Sequence, residues 1–128
     1  MRIEHLALNI RNPAGVVEWL CENLGMRILR QSGDPPNAFF VADSEGHTVL
    51  EIYENRRGDI PDYAAMSPFT LHLAFLADDV AAVRTRLLEA GATPEGDVIK
   101  TPEGDELAMV RGPEGIAIQI MKRGDPIL

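Results

Sequence analysis

Hydrophobic and polar positions along this chain follow two periods that succeed one another in a fixed order. Arg2–Asn9 alternates with a period of two, which predicts a strand. Asn12-Pro13 then predicts a helix start, with Asn as cap and Pro at the first helical position. Val16, Val17, Trp19, Leu20 and Leu24 recur at helical spacing, and Gly25 predicts the stop. Strands are predicted over Met26–Gln31, Ala38–Asp43 and Thr48–Glu54, separated by the turn cluster "SGDPPN" and the hairpin turn "SEGH". A polar connector, "NRRGDIPDYAAMSP", follows, and the same order returns. Phe69–Leu76 predicts a strand, and Asp78-Asp79 caps a helix through Val80, Val83, Leu87 and Leu88 that stops at Gly91. A short strand is predicted near Asp97–Thr101, then Glu106–Arg111, the turn "GPEG", Ile116–Lys122 and a tail, "GDPIL".

The chain therefore reads as two copies of one β-α-β-β-β unit, modules at about 1–55 and 68–123 joined by a connector at about 56–67, within a single domain of residues 1–128. Three anchors carry the duplication. The helix-ending Gly25 and Gly91 stand 66 residues apart, His5 in "IEHLAL" and His72 in "TLHLAF" 67, and Glu51 in "TVLEIYE" and Gln119 in "IAIQIMK" 68. The fold class this predicts is α+β: two tandem βαβββ modules forming a curved, partly open barrel-like sheet, with the helices on its outer face.

Strand alternation assigns faces. Leu6, Leu8 and Ile10 share one face of the first strand, and Ile3, His5 and Ala7 the other. In the repeat, Phe69, Leu71, Leu73 and Phe75 share one face, and His72 lies opposite with Thr70 and Ala74. Glu51 lies opposite Leu50 and Ile52, beside Val49 and Tyr53, and Gln119 lies opposite Ile116, Ile118 and Ile120. A carboxylate within an apolar strand is costly unless it is paired, hydrogen-bonded or ligating a cation. A lone strand histidine is more often hydrogen-bonded or exposed than a ligand. Four polar residues at repeat-equivalent positions, all opposite the helix-packing face, instead suggest a divalent metal site made of His5, Glu51, His72 and Gln119. Imidazole suits Zn, Fe, Ni and Co, and oxygen ligands admit Mn. His47, in the "SEGHT" turn, is expected to be exposed.

Composition narrows the function. With 128 residues, 45% apolar and 25% charged, the chain suits one globular domain with a real core. No apolar run approaches the ~20 residues of a membrane helix, and the N-terminus shows no signal-peptide pattern; the expected compartment is the cytoplasm. The net charge of −8 and the lack of a basic patch beyond Arg56-Arg57 and Lys122-Arg123 argue against nucleic acid. The one cysteine, Cys21, excludes thiolate zinc and reads as a small buried helix residue.

The doubled unit, carried by "IEHLALNIRNP", "WLCENLGM", "HTVLEIYE", "LHLAFLADDVAAVRTRLLEAGA" and "GDELAMVRGPEGIAIQIMK", resembles the vicinal oxygen chelate superfamily, also called the glyoxalase/bleomycin-resistance/dioxygenase superfamily, over almost the whole chain. Gly112 stands where the family's closing turn usually begins with aspartate. The resemblance implies metal ligands at the first, fourth, fifth and last strands, here His5, Glu51, His72 and Gln119. It also implies a concave cup around the metal, a small-molecule substrate and a homodimer.

The resemblance is greatest to glyoxalase I-like proteins, metal-dependent lyases or isomerases, with acyl-CoA epimerases close behind. Bacterial glyoxalase I typically carries His, Glu, His and Glu, so Gln119 is a departure. Glutamine cannot take a proton, which leaves Glu51 as the catalytic proton shuttle. Tyr53, on the same face, and Arg56 are the candidate substrate-binding residues; Arg57 and Arg11 are further cations. Two alternatives stand beside this. One is a dioxygenase using His5, His72 and Glu51. The other is a non-catalytic small-molecule or drug binder of the bleomycin-resistance type.

Overall fold

The computed structural model describes residues 1–127; Leu128, the last residue of the "GDPIL" tail, lies outside the described residues. The backbone follows the expected order: β1 (Leu6–Asn9), α1 (Pro13–Leu24), β2 (Arg27–Gly33), β3 (Pro36–Ala42), β4 (Val49–Tyr53), β5 (Leu73–Leu76), α2 (Val80–Glu89), β6 (Thr93–Lys100), β7 (Glu106–Arg111) and β8 (Ala117–Lys122). The fold is α+β, made of two βαβββ modules. Each module is a mixed four-stranded sheet with one helix, in the orders β1-β4-β3-β2 and β5-β8-β7-β6. β1 runs parallel to β4 and β5 parallel to β8; the other pairings are antiparallel.

Local chemistry explains the helix ends. The Asn12 side chain accepts a hydrogen bond from the Gly15 amide at 3.1 Å, and Pro13, lacking an N–H, takes the first helical position. Gly25 ends α1 at φ +68, a left-handed conformation that costs glycine little. The Asp79 side chain caps α2 by accepting from the Ala82 amide at 2.9 Å.

The chain separates into two compact units, the first ending at Pro61 and the second beginning at Asp62. In the first, Leu8, Ile10, Val16, Val17, Leu20, Val41, Leu50 and Ile52 are buried between sheet and helix. In the second, Val80, Leu87, Val110, Ile118 and Ile120 do the same work. Each such side chain contributes about 1.5–3 kcal/mol of apolar burial. The predicted apolar face is buried at Leu8, Ile10, Leu50, Ile52, Ile116, Ile118 and Ile120, whereas Leu6 is exposed and Leu71, Leu73 and Phe75 are half-buried.

Three strands begin four residues away from where the pattern places them, and the other boundaries move by two residues or fewer. β1 begins at Leu6, opposite Leu50 of β4, so His5 and Ile3 precede the ladder. β5 begins at Leu73 instead of Phe69, because Ser67–Thr70 closes on itself. The Thr70 amide donates to the Ser67 carbonyl at 2.9 Å, and the Phe69 amide donates to Ser67 Oγ at 3.2 Å. Phe69 is consequently 92% exposed and does not join the helix-packing face. β6 runs from Thr93 instead of Asp97, since a register irregularity between Glu95 and Ile99 lets the longer strand stay paired to β7.

The connector is not a free linker, because each unit holds its own end of it. Asn9 Nδ2 donates to the carbonyls of Asn55, Gly58 and Asp59, while its Oδ1 accepts from the Asn55 amide at 2.8 Å. In the second unit Arg111 donates to the carbonyls of Tyr63 and Met66.

Asp105 ties the end of β8 to the β6–β7 turn. It accepts from the Gly124 amide at 2.9 Å and from Arg123 Nη1 at 2.7 Å. Those two donors hold its carboxyl below the ordinary aspartate value of 3.8. A depressed folded-state pKa adds stability above pH 3.8 and loses it as pH falls through the lower value. Asp105→Asn is therefore expected to melt earlier than the parent chain at about pH 7, with the gap narrowing as the pH falls below the ordinary aspartate value of 3.8. Thermal melts at neutral pH and through the acid range check this; a gap that does not narrow in acid contradicts it.

Candidate metal site

In the first unit, β4 presents Glu51 from the centre of the sheet, paired with Ala7 of β1 and Phe40 of β3. His5 stands two residues before Ala7, on the same face, and its Nε2 lies 3.3 Å from Glu51 Oε2. The imidazole packs edge-on against Phe40, with ring centroids 5.3 Å apart and planes at 89°. Its Nδ1 is taken by the carboxylate of the neighbouring Glu4. The Glu4 hydrogen bond, the charges of Glu4 and Glu51 and the Glu51 contact raise the His5 pKa against the lowering effect of desolvation. The His5 side chain is 32% exposed and that of Glu51 21%, so a small ligand can reach them.

The second unit repeats this register. Gln119 of β8 pairs with Ala74 of β5 as Glu51 pairs with Ala7, and His72 stands two residues before Ala74 as His5 stands before Ala7. His72 Nδ1 lies 2.8 Å from the Pro68 carbonyl. A carbonyl only accepts, so Nδ1 carries the proton, and in the neutral ring Nε2 keeps its lone pair. A groove of about 660 Å³ opens on the same strands, with Ala74, Leu76, Met121 and Ile127 among its lining. Leu76 pairs with Met121 two residues beyond the Ala74–Gln119 pair, so this apolar floor continues the face that carries Gln119.

A profile of the glyoxalase/bleomycin resistance protein/dioxygenase superfamily matches residues 2–120. The chain belongs to that superfamily. Solved structures share the fold of this glyoxalase-superfamily chain. A glyoxalase family protein from Enterococcus faecalis is 22% identical with a TM-score of 0.69, covering 94% of this chain and 97% of that one. A mutant of glyoxalase I from Zea mays is 20% identical with a TM-score of 0.73, covering 97% of this chain and 46% of that one. A glyoxalase/bleomycin resistance protein from Streptomyces sp. CB03234 is 24% identical with a TM-score of 0.66, covering 91% and 96%. No curated protein matches the sequence.

Within the superfamily fold the donor chemistry suits a divalent metal. Ligating histidines commonly give their second ring nitrogen to a carboxylate or backbone carbonyl. His5 has Glu4 for this and His72 has Pro68. Among the described residues no group of three or more His, Cys, Asp or Glu side chains is gathered that could hold a metal ion; each unit offers one imidazole and one oxygen donor. Tyr53 ends β4, half-buried, paired with Asn9 and Ala38. Arg56 is 93% exposed and turned toward Glu54 at 3.6 Å. His47 is exposed beside Glu45. Cys21 is half-buried, and burial together with Glu22 raises its thiol pKa, the opposite of an activated nucleophile. Sequence reasoning missed Glu4, Phe40 and Pro68. Glu4 was readable as an acid beside a histidine, whereas Phe40 and the Pro68 carbonyl depend on register and on a turn.

No helix among the described residues is long and apolar enough to cross a membrane.

Proposed function

We propose that this chain is a glyoxalase I-like, metal-dependent lyase/isomerase acting on a small molecule with two vicinal oxygens. His5, Glu51, His72 and Gln119 serve as the metal donors. The observation that carries this reading is the repeated register: an imidazole two residues before the strand partner of an oxygen-bearing side chain, in both units, each with its Nδ1 occupied. A divalent metal held there acts as a Lewis acid on the substrate's oxygens.

The residues supply the rest. Glu51 removes a proton from the carbon beside the carbonyl and returns it to the adjacent carbon. The substrate is neither oxidised nor reduced overall. Gln119 contributes an amide oxygen and cannot share that role. Phe40 keeps the His5 ring in place, and the apolar groove of Ala74, Leu76 and Met121 offers a surface for the substrate's organic part. On the same reading the protein is a cytoplasmic homodimer without nucleic-acid or membrane partners.

Metal content after purification without added metal, compared with a His5→Ala/His72→Ala variant, tests the site. The parent chain is expected to hold about one divalent ion and the variant to lose at least 100-fold in affinity, more than the 10–100-fold typical of losing a supporting group. Equal binding by both sinks the assignment. Turnover of methylglyoxal with glutathione tests the reaction. Oxygen uptake with a catechol would instead favour a dioxygenase, and stoichiometric binding without turnover a binding protein.

A further inference from the structure

We propose that Arg111 is a positioning residue for His72, acting through the turn that delivers the Pro68 carbonyl to the imidazole. This rests on His72 being a metal donor. The His72 ring is not held by the sheet, because the β5 ladder starts at Leu73. Its described polar contact is with Pro68, in the Ser67–Thr70 turn. That turn follows directly on the segment Arg111 holds.

The guanidinium uses its three nitrogens on four acceptors. Nε donates to Glu95 Oε2 at 3.0 Å, Nη1 to the carbonyls of Tyr63 at 2.9 Å and Gly115 at 3.1 Å, and Nη2 to the Met66 carbonyl at 2.8 Å. The side chain is only 12% exposed, so these bonds are well shielded from water. The Met66 carbonyl lies two residues before Pro68, whose ring restricts the backbone between them. A planar fork can span acceptors on β6, the β7–β8 turn and the connector at once, whereas the single nitrogen of lysine cannot.

The repeat sharpens the point. Arg111 pairs with Ala117 at the end of the β7–β8 ladder, and the same register position in the first unit pairs Ala42 with Val49. Ala42 is buried and carries no charge. The first unit has no use for a guanidinium there, since His5 takes its Nδ1 partner from its neighbour Glu4. His72 draws its own from a turn that something else must fix.

The test reads the imidazole directly in metal-free, 15N-labelled protein at about pH 8, above the ordinary histidine value of about 6.5. Long-range 1H–15N correlations should show His72 with its proton on Nδ1. In Arg111→Lys, with the far-UV circular dichroism unchanged, His72 should shift toward the Nε2–H form while the His5 signals stay put. Retention of the Nδ1–H form in folded Arg111→Lys overturns the proposal. If that variant does not fold, Glu95→Gln loosens only the Nε contact. A smaller shift in the same direction is expected there, and no shift overturns the proposal. Co2+ titration separates the two readings. Arg111→Lys should weaken Co2+ binding by about 10–100-fold. If His72→Ala leaves Co2+ affinity unchanged while Arg111→Lys still moves the tautomer, the donor role of His72 fails and the positioning role stands.

Discussion

Gly115→Ala is expected to destabilise the protein by about 2–5 kcal/mol, combining about 1–2 kcal/mol for an L-residue in left-handed backbone with about 1–3 kcal/mol for overpacking. Gly115 sits at φ +78 in the turn before β8. A β-carbon there would come within 2.7 Å of the Ala64 nitrogen and closer still to its Cα and Cβ. These are mostly backbone atoms, so no side chain can swing aside. The 62–66 turn would have to move, and with it the carbonyls that Arg111 binds at Tyr63 and Met66. The Gly115 carbonyl is a third acceptor of the same guanidinium, so the clash falls on one network. At roughly 4 °C per kcal/mol for a chain of this size, the melting temperature should fall by about 8–20 °C. Calorimetry of the two proteins checks this. A change below 2 °C would show that the turn yields at little cost.

On the proposed mechanism, Glu51→Gln should leave the fold intact and lower turnover by about 10²–10⁴-fold, the range general acid–base catalysis supplies. The amide has the shape of the carboxylate and still pairs through the β4 backbone with Ala7 and Phe40. It cannot accept a proton, and Gln119 cannot substitute for it. The variant also removes one of the two carboxylates bordering His5, so the upward displacement of the His5 pKa should shrink. NMR titration of His5 gives a readout independent of turnover. Unchanged turnover in Glu51→Gln would move the proton shuttle to another residue.

Much of the fold was legible in the pattern because its information is local. The two-residue period located the buried faces, so that Leu50 and Ile52, or Ile118 and Ile120, are enclosed while Glu51 and Gln119 look the other way. Caps at Asn12 and Asp79 and the stop at Gly25 carried the helix limits. Where a strand begins was less legible, because it depends on backbone pairing and turns that side-chain alternation does not encode. His5 reads as a mid-strand residue and stands just before the strand. Phe69 alternates correctly with Leu71 and Leu73, yet the Ser67 turn removes it from the sheet.

The site divides in the same way. The spacing of His5 from His72 and of Glu51 from Gln119 exposed the repeat-equivalent polar residues, since a duplicated module keeps its polar exceptions at matching positions. What orients each imidazole could not be read so simply. Glu4 is a sequence neighbour of His5, but Pro68 acts through a backbone carbonyl, which every residue possesses and no pattern distinguishes. Arg111 looks like an ordinary charge closing a strand until the fold brings Tyr63, Met66, Glu95 and Gly115 to its guanidinium. By itself the sequence determined the repeat, the order of elements, most of the buried faces and the matching polar positions, because side-chain period and polarity encode them. Only the tertiary structure decided strand limits, ring orientation and the Arg111 clamp, because those depend on which backbone groups meet across long stretches of chain.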